Sequence, residues 1–250
     1  MKRLILCASA IIVLFLFCLP VFADTGPETV DNAESPWFGD VEAGYQMTTG
    51  NTETRSLNGQ MSIGYDSGDW HHEAGFRTVY SHEKEDGTTT QRFLATGKTK
   101  YGFNENDSLY GLSIYENDRF SAYDYRVTLS TGYHRQILFT DRLEWSAEIG
   151  PGYRYSNYRE DGISSDDEAI AHVGTVFLYR FTQRTSFREE ISVDAGDENT
   201  AIRSVSSLRI SLSEQLSLRL THIIRHVTGV PDDTKKTDTE TFFSLGYVFP

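Results

Sequence analysis

The sequence predicts an all-β chain, folded as a single antiparallel transmembrane β-barrel of about 12 strands. Three observations predict it. Apolar and polar residues alternate with a period of two over unusually long stretches, as in strands whose two faces meet different solvents. The connections alternate between short turns and longer, mostly acidic loops. Aromatic residues gather near the strand ends on the short-turn side.

The stretch from Tyr125 to Tyr155 carries the first observation most clearly. Val127, Leu129, Thr131, Tyr133, Arg135, Ile137 and Phe139 share one, mostly apolar face, and Arg126, Thr128, Ser130, Gly132, His134, Gln136 and Leu138 share the other, mostly polar one. Thr140-Asp141-Arg142 interrupts the pattern, which resumes with Leu143, Trp145, Ala147, Ile149, Tyr153 and Tyr155 against Glu144, Ser146, Glu148 and Arg154. Soluble strands run about 5–6 residues. A tilted strand crossing a bilayer needs about 9–11, and both strands of this hairpin exceed that.

From the N-terminus, Lys2 and Arg3 precede an apolar run from Leu4 through Leu19, and Ala23 marks the expected cleavage point. Residues 1–23 therefore read as a secretory signal peptide, too short and too poorly flanked for a stable membrane helix. Both cysteines, Cys7 and Cys18, lie in it, so the mature chain has no disulfide and no thiol nucleophile or ligand. Residues 24–36, with Pro27 and Pro36 and no periodicity, read as a disordered lead-in, and residues 37–250 as the barrel.

Composition agrees. Mean hydropathy is −0.42, aromatics make up 13%, and the formal net charge is −13. Removing Lys2 and Arg3 leaves 21 bases against 36 acids, a net of −15 for the mature chain, which excludes a nucleic-acid partner.

The remaining strands follow in order. Trp37 to about Thr49 places Val41, Ala43, Tyr45 and Met47 on one face, and Gly50-Asn51 turns it with residues that tolerate positive φ. Glu53 to Asp66 sets Leu57, Met61, Ile63 and Tyr65 against Ser56, Asn58, Gln60 and Ser62. A third strand begins at Trp70 with His72, Ala74, Phe76, Thr78 and Tyr80 outward, and a loop is expected from His82 to Thr89. Thr90 to Phe103 and Ser108 to Tyr115 come before the opening hairpin, with a loop over residues 117–124, and another over 158–167 follows the hairpin. Ala169 to Phe181, a strand around Phe187, Ile191 and Val193, then Thr200 to Leu212 follow, with a loop at 195–199. Leu216 to Ile224 and Thr241 to Phe249 close the chain around a loop at 228–238.

Trp37, Trp70, Trp145, Tyr65, Tyr101, Phe139, Phe181 and Phe249 form the expected girdle at the short-turn end. With short turns facing the periplasm, both termini lie there and the barrel sits in the outer membrane of a Gram-negative bacterium, in contact with its lipid and lipopolysaccharide.

Strand parity assigns the lumen. It turns Arg77, Arg92, Lys98, Lys100, Arg126, Arg154, Arg180, Arg188, Arg203, Arg209, Arg219 and Arg225 inward, against Glu42, Glu73, Glu144, Glu148 and Glu190. The expectation is a net basic interior, read either as a narrow water-filled passage favouring anions or as a lumen plugged by Arg–Glu pairs. The acidic loops, with Asp161, Asp166-Asp167-Glu168, Asp194 and Asp197-Glu198, offer oxygen ligands suited to hard divalent cations, without the spacing of a calcium loop.

No catalytic motif is present. His71 and His72 face opposite sides, while His222 and His226 share a face too widely spaced for chelation. No cofactor is expected. A non-catalytic barrel leads. An outer-membrane hydrolase of phospholipase type, using outward Ser and His, and a soluble periplasmic ligand-binding barrel are the alternatives.

Gly44-Tyr45, Thr48-Thr49-Gly50-Asn51-Thr52 and Ser56-Leu57-Asn58-Gly59 resemble a family of Gram-negative salt-induced outer-membrane proteins, a domain of unknown function, over roughly Trp37 to Phe249. The ending Ser244-Leu245-Gly246-Tyr247-Val248-Phe249 is similar to the terminal strand signal read by the outer-membrane assembly machinery, although Pro250 follows the aromatic. The resemblance implies an outer-membrane barrel and no activity or substrate.

Overall fold

The computed structural model describes residues 35–48, 54–83, 87–119, 123–159, 165–229 and 236–249. The expected signal peptide, most of the expected lead-in and the expected Gly50-Asn51 turn lie outside the described residues. Twelve strands form the domain: β1 (Trp37–Thr48), β2 (Thr54–Ser67), β3 (Trp70–Glu83), β4 (Gly87–Gly102), β5 (Asp107–Asp118), β6 (Tyr123–Phe139), β7 (Leu143–Tyr158), β8 (Asp166–Arg180), β9 (Thr185–Gly196), β10 (Thr200–Ser211), β11 (Leu216–Val227) and β12 (Thr237–Phe249). Each pairs antiparallel with its neighbours in sequence, and β1 pairs with β12, Gly39–Ala43 against Leu245–Phe249, so the sheet closes into a barrel. Closure gives the two terminal strands partners at this seam, as a sheet in lipid requires.

The register follows the parity reading through the strand middles, but it shifts at Ser81/His82, Tyr123/Tyr125 and Gln136/Leu138, and the last of these sets Leu138 opposite outward Trp145 and Phe139 opposite inward Glu144. Gln60 lies opposite Arg77, Lys98 opposite Leu112, Glu148 opposite His134, and Arg203 opposite Arg225, all on the inner face. The outer face carries Val41, Leu57, Met61, Phe76, Leu129, Ile149, Val173, Leu218, Phe243 and Leu245, each more than a third exposed. An apolar band of that extent is unsuited to water, which argues against the soluble binding barrel.

Aromatic contacts mark both edges of the band. At the short-turn end Trp37 packs on Tyr65 with ring centroids 4.6 Å apart, and Trp70 on Tyr101 at 4.9 Å. Toward the other rim Phe93, Tyr115, Tyr125 and Tyr155 form a row, with successive centroids 6.2, 6.1 and 6.0 Å apart. Trp145 and Tyr155 lie on the same face of β7 at its two ends. At about 3.3 Å per residue and a tilt of about 40°, the vertical separation comes to roughly 25 Å, the height of the apolar band in outer-membrane barrels.

The strands extend further than alternation alone suggested at the long-loop end. β3 and β4 run to Glu83 and from Gly87, absorbing most of the expected 82–89 loop; β5 continues to Asp118, β8 starts at Asp166, and β9 continues to Gly196. Beyond the lipid no apolar face is demanded, but ladder hydrogen bonds remain available, so polar residues continue the strands. At the opposite end the turns are tight. The β2–β3 turn places Gly68 at φ 58°, a conformation that suits glycine. On β6 and β7 a side chain at Gly132 or Gly150 would run into the facing backbone, so the two glycines let these strands approach and bend.

Candidate functional site: the barrel lumen

All the basic residues assigned inward do face the lumen, but the structure separates them by what they meet. Arg92 bridges Asp118, with Nη2–Oδ2 at 2.5 Å, and Glu240 across the bore, and lies 3.9 Å from Glu116. Glu240 also accepts from Arg225 at 2.6 Å and lies 3.9 Å from Arg77, whose guanidinium covers the Phe242 ring at 4.5 Å. Arginines from three strands, β3, β4 and β11, therefore converge on one carboxylate of β12. Arg154, 2% exposed, holds Glu168 at 2.5 Å and the Asn199 carbonyl at 2.8 Å. Arg126 donates to Ser156 Oγ at 3.2 Å and stacks 3.8 Å from the Tyr123 ring.

At the waist, Glu148 is the centre. It accepts from Lys98 Nζ at 2.5 Å and lies 3.3 Å from both His134 Nδ1 and His172 Nε2. His172 Nδ1 lies 2.6 Å from Asp194, and Tyr110 packs against both His172 and Lys98. Tyr110 and His172 are each 2% exposed, so side chains fill this level of the bore. Toward the short-turn end the interior opens: the Glu73, Glu190 and Arg188 side chains are 49%, 39% and 45% exposed, with Arg188 paired to Glu190 at 2.5 Å. Arg180 pairs with Glu144 at 2.5 Å, and Arg219 with Glu42 at 2.7 Å.

Arg203 and Arg209 differ. Among the described residues neither has an ion-pair partner, and the Nε of each is buried without a hydrogen bond. Each lies directly across the ladder from another arginine: Arg203 opposite Arg225, and Arg209 opposite Arg219. Like charges in that position destabilise a sheet. Lys100 also faces inward, opposite His71 on β3.

The inner charge balance needs correction. Beyond the five acids that parity supplied, Asp40, Glu116, Asp118, Glu168, Asp194 and Glu240 also face inward, opposite Ser62, Arg126, Arg92, Arg154, His172 and Ile223. The lumen is close to balanced, not strongly basic, and its basic excess is local to β10 and β11. These acids were missed because most fall in segments read as loops or strand ends, and the buried His134 and His172 carried no motif.

Catalysis finds no support on the outer face. His222 Nδ1 meets Thr241 Oγ1 at 2.7 Å, while Ser206 Oγ donates to Glu189 at 2.5 Å, so serine, histidine and acid form no relay. Among the described residues no group of three His, Cys, Asp or Glu is placed to hold a metal ion, and Asp161 lies outside them.

The chain belongs to the family described as "Protein of unknown function, DUF481", whose model matches residues 41–249. It is similar to the uncharacterized protein YdiY of Escherichia coli (strain K12), at 26% identity over 224 residues covering 86% of this chain and 84% of that one. Among solved structures it resembles the NanC porin (TM-score 0.52, 9% identity, 85% of this chain and 99% of that one). It also resembles the COG4313 outer membrane channel from Pseudomonas putida F1 (TM-score 0.52, 13% identity, 90% and 100%). The translocator domain of the autotransporter NalP from Neisseria meningitidis is similar too, with a TM-score of 0.50, 9% identity and coverage of 88% and 90%. At these identities the likeness is one of fold, and the fold is that of an outer-membrane β-barrel.

Proposed function

We propose that the protein is a non-catalytic outer-membrane channel, narrow at its waist, that prefers small anions. In this reading the short turns and both ends of the barrel face the periplasm. The observation that carries the proposal is the doubled arginine pair on β10 and β11: Arg203 with Arg225, and Arg209 with Arg219. Glu240 and Glu42 neutralise one member of each pair, leaving Arg203 and Arg209 with unspent charge and orphaned donors in the bore. A sheet carries directly opposed like charges at a cost, and arginines lining a pore attract anions through the potential of a confined, low-dielectric space. The porin and channel among the fold relatives support a conducting role.

The test is the reversal potential of the reconstituted protein in a planar bilayer under a KCl gradient. The expected sign is that of chloride preference, and replacing both Arg203 and Arg209 by Ser should reduce it. Cation selectivity would overturn the anion reading. Absence of any conductance would favour a barrel closed at the Glu148 level.

A further inference from the structure

The lipid-facing surface carries one carboxylate at depth. Glu189 points outward from β9 between Phe187 and Ile191, four residues from the start of the strand and seven from its end. Among the described strand residues, the other outward acids, Asp107 and Asp167, lie at strand ends. A carboxylate within the hydrocarbon layer is costly, and such residues are found where something polar covers them. Glu189 is held in place: Ser204 Oγ and Ser206 Oγ, both outward on β10, donate to it at 2.6 and 2.5 Å. The polar row continues across the ladder, because Ser206 lies opposite His222 on β11, and His222 is anchored on Thr241 of β12.

We infer that this face is the contact surface of a homodimer within the membrane, with the two-fold axis running along β10. Such an axis sets β9 of one copy against β11 of its partner, so the acid column of each meets the histidine column of the other, and every contact is made twice. The face is thus complementary to itself. The acid and the imidazole lie on either side of a serine column, an arrangement a second copy satisfies completely and a one-sided partner would not. Strand tilt offsets Glu189 and His222 by roughly 6 Å in height over two strand spacings, which two extended side chains span. The serines at the axis are small, letting the two walls approach, and polar groups act as adhesive between membrane segments where apolar ones cannot.

Single cysteines test this, because both native cysteines precede the barrel. Leu208→Cys lies in the outward column of β10, and Ala95→Cys on β4 faces the opposite side. Oxidation in native outer membranes should yield a disulfide-linked homodimer from Leu208→Cys and not from Ala95→Cys. In phospholipid vesicles, energy transfer between labelled copies should fall at least tenfold in apparent affinity on Glu189→Gln, and similarly on His222→Leu, with heat-modifiable mobility verifying that each variant is folded. Equal cross-linking at the two positions, a cross-link to a different protein, or a monomer at all protein-to-lipid ratios would overturn the inference. So would an unchanged affinity in both folded variants.

Discussion

Two walls of the same lumen treat charge in opposite ways. On β6–β8 most inward ionic groups are matched: Glu148 with Lys98, His134 and His172, His172 with Asp194, and Arg154 with Glu168, while Arg126 meets Ser156 and the Tyr123 ring. On β10 and β11 arginine faces arginine, and two of the four have no ion pair among the described residues. Both walls follow the same strand parity and face the same lipid outside. The difference shows what inward charge is for. Where each charge has a partner, removing one strands the other in a poorly solvated bore, so the network holds the barrel. Where charge is left over, it adds no ion pair to the fold, and in the proposed channel a passing anion would supply the counter-charge.

The largest expected effect is on the matched wall. Glu148→Leu deprives Lys98 of its 2.5 Å partner and removes the group that both histidines face. Stripping one member from a buried pair costs about 3 kcal/mol or more. Urea unfolding in phospholipid vesicles, followed by tryptophan fluorescence, should show that loss. A cost below about 1 kcal/mol would mean that the waist is hydrated enough to make matching irrelevant.

A pair of outward substitutions then checks that the walls differ inside only. Ile149→Arg on β7 and Leu220→Arg on β11 both place a guanidinium toward lipid near mid-height. Each should cost about 2–4 kcal/mol. A marked inequality in the same titration would show that the walls differ in membrane depth, which would confound any comparison of their inner faces.

Much of this architecture was legible because lipid imposes a strict rule. Leu129, Ile149 and Leu218 must face out, and a period of two then fixes their neighbours Ser130, Glu148 and Ser217 inward. The rule lapses where the strands leave the lipid. Asp118, Glu168 and Asp194 sit in the outer extensions of β5, β8 and β9, where no apolar alternation marks a strand, so they read as loop acids. They are the partners of Arg92, Arg154 and His172. The bridge from Arg92 to Glu240 crosses the bore between β4 and β12, a contact that closure of the sheet creates and local pattern does not encode. The arginine pairs were invisible for a related reason: parity says which face a residue takes, and only register says what stands opposite.

The smallest effect is the most discriminating. On the matched wall, deleting a charge destabilises; on the arginine wall the sign should reverse. Arg203→Ser removes one of two like charges facing each other across β10 and β11, while Arg225 keeps its 2.6 Å bond to Glu240. Relief of a directly opposed like-charge pair is worth about 0.2–1 kcal/mol, so the variant should unfold at slightly higher urea than the parent. Two effects compete with this gain. The guanidinium stem packs against the wall, and its loss opens space; but the Nε of Arg203 is buried without a hydrogen-bond partner, so its removal also discards an unsatisfied donor. The net should remain favourable or near zero. If the same substitution also weakens chloride preference in the bilayer, stability and selectivity have moved in opposite directions at one residue. A clear loss of stability in Arg203→Ser would instead place this arginine with the structural ones, and the contrast between the two walls would fail.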